Sequence, residues 1–188
     1  MHDLIAKTPL GGTSALTETI KGLKISECPD VALASLAARF GREQDTLNAA
    51  KAGLGFDLPT AGRFASHLPF AAFWTGPDQW LIEAPHDGHE NLAAELKIAF
   101  GDSASVTEQN DGWVRFDLEG AGCHAVLELL CNADTRAMDA GDITRTRLEH
   151  MGCFLACRAK DTHFSVTGPR SAAASLHHGL VEAAQSAL

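Results

Sequence analysis

Nine histidines and five cysteines are the side chains in this sequence best suited to chemistry, and their spacing argues against most of it. His86 and His89 stand three apart at the start of a helical segment. His177 and His178 are adjacent within another, so they project about 100° apart and cannot easily share a metal. There is no H-x-H and no H-E-x-x-H pattern. Each histidine is expected at a solvated surface position. Cys28, Cys123, Cys131, Cys153 and Cys157 are odd in number and form no C-x-x-C pair, as in a reducing compartment. Cys153 and Cys157 flank Leu155 in a strand-like run, where even spacing places all three on one face as small buried hydrophobes.

Nucleophilic catalysis finds no G-x-S-x-G elbow. Cys123 and His124 are neighbours at a helix start, so their side chains diverge. A low-pKa thiol is physically possible there, but packing is the simpler role. GGTSAL (11–16) lacks the G-K-[ST] ending of a phosphate loop. GAGC (120–123) has two glycines of a dinucleotide fingerprint, but Ala125 stands where the third would be, and a tight strand-to-helix turn explains it better. Two pairs of acids remain: Glu108 with Asp111, and Asp134 with Asp139. Either pair could hold an amine or a pterin ring, or be solvated loop carboxylates. No residue is singled out as catalytic, cofactor-binding or metal-binding.

The elements that would position these groups repeat. QWLIEAPHDGHENLAAELKIAF (79–100) matches HFSVTGPRSAAASLHHGLVEAA (163–184), with Pro85 and Pro169 standing 84 residues apart. The same offset pairs Trp80 with Phe164, Ile82 with Val166, Leu92 with Leu176 and Leu96 with Leu180. Each copy is expected to form a strand, a proline-marked turn and an amphipathic helix. Asp87 is a plausible N-cap of the first helix, with Glu90 three residues on. Pro169 suits the first turn of the second helix. WVRFDLEG (113–120) alternates as a strand before an apolar helix over 121–131. VALASLAARF (31–40) fits a strand or a helix, and the repeat favours the strand, before a helix over about 43–53. PFAAFWTG and QWLIEAP form a hairpin about Gly76-Pro77-Asp78. Further strands are expected at about 104–107, 143–147 and 150–158.

The first module is therefore expected to run β-α-β-β-α-β over about 23–110. The second runs β-α-β-β-β-α over about 111–188 and lacks a closing strand. The fold class is α+β, with two pseudo-repeated ferredoxin-like split β-α-β modules in one compact domain. Residues 1–22, with little to bury, are expected to form a mobile N-terminus. Trp80 is expected in the core and Trp74 at an interface.

The chain of 188 residues carries 15 basic and 24 acidic residues, a net charge of −9, and 45 % apolar residues. That charge disfavours nucleic acid and anionic membrane as partners. No signal-like run or membrane span is visible, so a cytoplasmic location is expected.

GPDQWLIEAP (76–85), GLGFDLP (53–59), SVTEQNDGWVRFDLEGAG (105–122) and FSVTGPRSAAASLHHGL (164–180) together resemble the sarcosine oxidase gamma subunit family, colinearly over about 23–187. The resemblance implies the folate-binding fold of the glycine-cleavage aminomethyltransferase. It implies a non-catalytic assembly subunit beside alpha, beta and delta subunits, in a complex that demethylates sarcosine to glycine with oxygen and tetrahydrofolate. FAD, FMN, NAD, zinc and tetrahydrofolate are then expected in the partner subunits and none in this chain. Two other roles stay open: a stand-alone folate binder or aminomethyltransferase, and a subunit of a related N-methyl amine oxidase. One departure from the family pattern is His177-His178-Gly179, where the mid-helix glycine is expected to admit a partner's backbone.

Overall fold

The computed structural model describes residues 5–188; Met1 to Leu4, with His2 among the residues expected to be mobile, lie outside the described residues. The chain separates into two compact units. The first module comprises Asp30–Asp111 with Gly141–Ile143. The second comprises the residues up to Pro29, Gly112–Ala140 and Thr144–Leu188.

In the first module, β3 (Val31–Ala38) leads into α1 (Glu43–Gly53), then β4 (Phe64–His67), β5 (Phe70–Gly76) and β6 (Gln79–Pro85), α2 (Leu92–Phe100) and β7 (Ala104–Glu108). The sheet order is β4-β5-β6-β3-β7, with antiparallel pairing throughout. VALASLAARF is thus a strand, buried on the helix-facing side through Ala32, Ala34 and Leu36. A helix there would have left β7 without a partner and β6 paired only with β5, so pairing on both edges overrides the local ambiguity. Glu43 and Asp45 in the first turn of α1 and Lys51 in its last complement the helix dipole. Trp80 lies in the core, and its indole N–H donates to the Pro59 carbonyl at 2.8 Å. That bond removes the cost of burying the N–H. The hairpin turn carries Asp78 at φ 54°. The short β4 was not expected. It pairs with β5 from Phe64↔Phe73 to His67↔Phe70.

In the second module, β8 (Trp113–Glu119), α3 (Cys123–Leu130), β9 (Ile143–Leu148), β10 (Met151–Ala159), β11 (His163–Pro169) and α4 (Ala173–Ala187) follow in the same order. Two further strands come from the N-terminal side: β1 (Thr17–Ile20) and β2 (Leu23–Glu27). The sheet order is β1-β2-β8-β11-β10-β9. The expected module boundary at residue 23 therefore moves. β2 pairs with β8 from Lys24↔Glu119 to Glu27↔Phe116, and Leu23 and Ile25 are fully buried in the second core. The strand missing from the end of the second repeat is supplied by the beginning of the chain. β2 holds the place beside β8 that β7 holds beside β3.

The 84-residue offset survives in three dimensions. Trp80, Ile82, Leu92 and Leu96 are buried in the first core, and Phe164, Val166, Leu176 and Leu180 in the second. The helix starts differ from expectation. The N-cap of α2 is Asn91, without a side-chain bond, rather than Asp87, because the positive φ of Gly88 (86°) breaks the chain before helical geometry begins. Pro169 ends β11 in extended conformation, opposite Trp113, and does not open α4. Gly179 in α4 faces Glu149 of the β9–β10 turn. A Cβ there would stand 2.5 Å from the Glu149 Cγ, so the close approach it permits is within this chain.

Candidate functional site

Alternation along β8 gives the second sheet two different faces. Val114, Phe116 and Leu118 turn towards α3 and α4. Arg115 and Asp117 turn the other way. The register sets Asp117 between Ser26 of β2 and Ser165 of β11, and Arg115 beside Thr167. The polar cluster that results was not apparent in the sequence.

The Arg115 guanidinium donates two bonds to Asp117, from Nε to Oδ1 at 2.8 Å and from Nη2 to Oδ2 at 2.7 Å. Ser165 Oγ donates to Oδ1 at 2.6 Å, and Arg158 Nε donates to Ser165 Oγ at 2.9 Å. His163 Nε2 stands 3.3 Å from Oδ2. Asp117, Ser165 and Thr167 are all buried. Burial alone would raise the Asp117 pKa, but His163, the Arg115 guanidinium and the Ser165 hydroxyl hold it well below the usual carboxylate range. The carboxylate is therefore a fixed anion, matched by a planar two-pronged donor. A group so held orients its neighbours, and it is a poor general base because its proton affinity is too low.

The thiols are quiet for a related reason. Burial pushes the Cys28 thiol up to about 12, and the Cys123 and Cys153 thiols to about 11. Cys123 Sγ lies 3.4 Å from the Leu118 carbonyl, away from His124, so the two neighbours diverge. All five cysteines are free thiols. Cys153, Leu155 and Cys157 share the core-facing side of β10.

Four histidines, His89, His124, His163 and His177, depart from the expected solvated positions. His124 is 8 % exposed. Its Nδ1 is 2.9 Å from Thr135 Oγ1 and its Nε2 is 3.0 Å from Asp161 Oδ1, with the ring edge-on to Phe164. His177 lies against the Phe116 ring, with Nε2 3.5 Å from Glu18 Oε1. His163 joins Asp117. The spacing held a signal for His124, which sits on the same face of α3 as Leu127. His178, one step round α4, is solvated and pairs with Glu182 at 3.2 Å. His89 pairs with Glu95 at 2.7 Å.

The candidate acids are dispersed. Glu108 is exposed at the end of β7, and Asp111 is exposed in the turn before β8. Asp134 accepts from the Ala137 N–H at 3.2 Å and caps a single turn. Asp139 pairs with Lys160 at 2.7 Å. None of the four lines the open groove of about 1200 Å³ beside β9. Among the described residues no group of three His, Cys, Asp or Glu could hold a metal ion, and no helix is long and apolar enough to cross a membrane.

No family model and no curated protein sequence matches the chain. Among solved structures it is similar to a chain of the heterotetrameric sarcosine oxidase from Corynebacterium sp. U-96. The TM-score is 0.77 at 23 % identity, over 90 % of this chain and 87 % of that chain. It is also similar to the glycine cleavage system aminomethyltransferase T from Bartonella henselae, with a TM-score of 0.63 at 16 % identity, over 82 % of this chain and 44 % of that chain. At these identities the likeness is one of fold, and that fold agrees with the resemblance carried by the sequence segments. The chain has the α+β fold that these two proteins share, nearly whole against a chain of similar length in the first and against less than half of a longer chain in the second.

Proposed function

We propose that this chain is the non-catalytic gamma-type subunit of a heterotetrameric sarcosine oxidase, an assembly subunit docked to alpha, beta and delta partners in the cytoplasm. The observation that carries this reading is the end-to-end match: 90 % of this chain against 87 % of a chain of that complex. The aminomethyltransferase match spans under half of that protein, so more than half of the longer protein has no counterpart here. The side-chain chemistry of the chain is consistent with an assembly role. The buried Asp117 is locked in a bidentate pair and three thiols are held protonated. Large apolar side chains stand exposed at Phe40, Leu68, Ile98 and Leu129, and in this reading partner subunits cover them.

In this reading FAD, FMN, NAD, zinc and tetrahydrofolate reside in the partner subunits. The complex demethylates sarcosine to glycine, or acts on a related N-methyl amine. Co-expression with the flavin-bearing subunits tests it. The expected result is a stable complex whose oxidase activity needs this chain for assembly. A chain that stays soluble and monomeric and never co-purifies with a flavoprotein overturns it.

The aminomethyltransferase likeness supports a second reading, a stand-alone folate binder. Calorimetric titration of the isolated chain with tetrahydrofolate decides it, and absence of heat removes it.

A further inference from the structure

β9 is the last strand of its sheet, with β10 on one side and no strand on the other. The Ile143 N–H points outward, where it donates to the Gly62 carbonyl at 2.9 Å. Strand geometry repeats every two residues, so the N–H and C=O groups of Arg145 and Arg147 face the same outer edge. The two-residue turn at Glu149 (φ 47°) and His150 (φ 67°) closes the β9–β10 hairpin, which turns Thr146 and Leu148 inward to β10. Among the described residues, no backbone bond outside the strand ladders involves residues 144–148.

An open groove of about 1200 Å³ runs along this edge, lined by Leu129, Asn132, Arg145, Thr146, Arg147 and His150 among others. Leu129, at the end of α3, is 60 % exposed. Arg145 and Arg147 are both exposed on one face of the strand. The Arg145 guanidinium lies over the Phe154 ring, 5.8 Å from its centroid. Neither arginine has a carboxylate partner among the described residues. Of the two acids at the groove, Glu128 is bound by Arg136 at 2.6 Å, and Glu149 lies against Gly179 of α4. With Arg136 counted, three arginines stand against two acids here, so on a chain of net charge −9 this edge carries a small local positive balance.

We propose that the β9 edge receives an extended acidic segment of a partner protein, added antiparallel or parallel as a seventh strand. Backbone groups of Arg145 and Arg147 supply the pairing. Their guanidinium groups, two residues apart on one face, select carboxylates at alternate positions of the incoming segment. A second copy of this chain fits poorly, because antiparallel pairing of two β9 strands about Thr146 sets Arg145 opposite the Arg147 of the other copy. The inference does not depend on which complex the chain joins. Co-purification reports assembly, and the titration below reports this edge alone.

Fluorescence anisotropy with a labelled ten-residue peptide alternating Glu and Thr, and a Lys–Thr control, tests it on the full chain. The Glu peptide is expected to bind and the control not to. Added salt should weaken binding. Charge reversal, R145E with R147E, should lower affinity about tenfold or more and transfer preference to the Lys peptide. Both side chains are exposed, so circular dichroism should be unchanged. Comparing R147P with R147A separates pairing from charge: proline removes an outward N–H while leaving the β10 ladder intact. R147P should bind more weakly than R147A. Equal binding of both peptides, no binding of the Glu peptide, equal effects of R147A and R147P, or self-association through this edge would each overturn the proposal.

Discussion

Asp117→Asn keeps the shape of the side chain and removes its charge, and the structure sets the size of the effect. Asp117 accepts two bonds from Arg115 and one from Ser165, with His163 3.3 Å away. Asparagine offers one carbonyl oxygen to the guanidinium, and its amide group places a donor against the other prong. The Asp117 and Arg115 side chains are 12 % and 16 % exposed, so the orphaned guanidinium regains little water. Breaking one partner of such a pair costs roughly 3 kcal/mol. For a chain of this size that lowers Tm by about 6–12 °C. The pH dependence has a definite sign. Because the folded-state pKa of Asp117 is depressed, its contribution is fully present above the unfolded carboxylate value of roughly 4 and declines as pH falls below that. Urea titrations of both proteins should show a gap that is narrower at pH 3 than at pH 7. A variant within about 0.5 kcal/mol of the parent at pH 7, or a gap just as wide at pH 3, would show that the cluster is not a stabilising ion pair.

Ile25→Ala should destabilise the chain by about 2–4 kcal/mol in urea titration, because Ile25 is fully buried; a surface-like loss would contradict the placement of β2 in the second core. Gly179→Ala alone should be near neutral, since about 1 kcal/mol of helix propensity is offset by the encounter with Glu149 at 2.5 Å. Adding Glu149→Ala should release that gain, and a thermal-melt double-mutant cycle reads the coupling. At pH 8, iodoacetamide should modify Cys28, Cys123 and Cys153 at least about a hundredfold more slowly in the folded chain than in urea, because burial raises their pKa values to about 12, 11 and 11. Mass spectrometry of the quenched samples checks this.

Much of the architecture was legible because the repeat is written in side-chain size and period. Trp80 with Phe164 and Leu92 with Leu176 keep their spacing, and each pair occupies the same place in its own core. Alternation alone separated Val114, Phe116 and Leu118 from Arg115 and Asp117. The helix starts were less legible. Asp87 satisfied a capping pattern, but capping requires a backbone geometry that the positive φ of Gly88 breaks.

By itself, then, the sequence determined what is local: the strand and helix periods, the two-fold repetition, the burial of Cys153 and Cys157, and the charge that disfavours polyanions. Only the tertiary structure decided what depends on partners distant along the chain. It placed β2 beside β8, some 90 residues away in sequence. It set Ser165 against Asp117, 48 residues apart, and turned His124 inward to Asp161, 37 residues on. Periodicity fixes which face a side chain takes, whereas strand order and register fix what it meets there. Those are settled by the summed burial of whole sheets, a quantity that no short window of sequence contains.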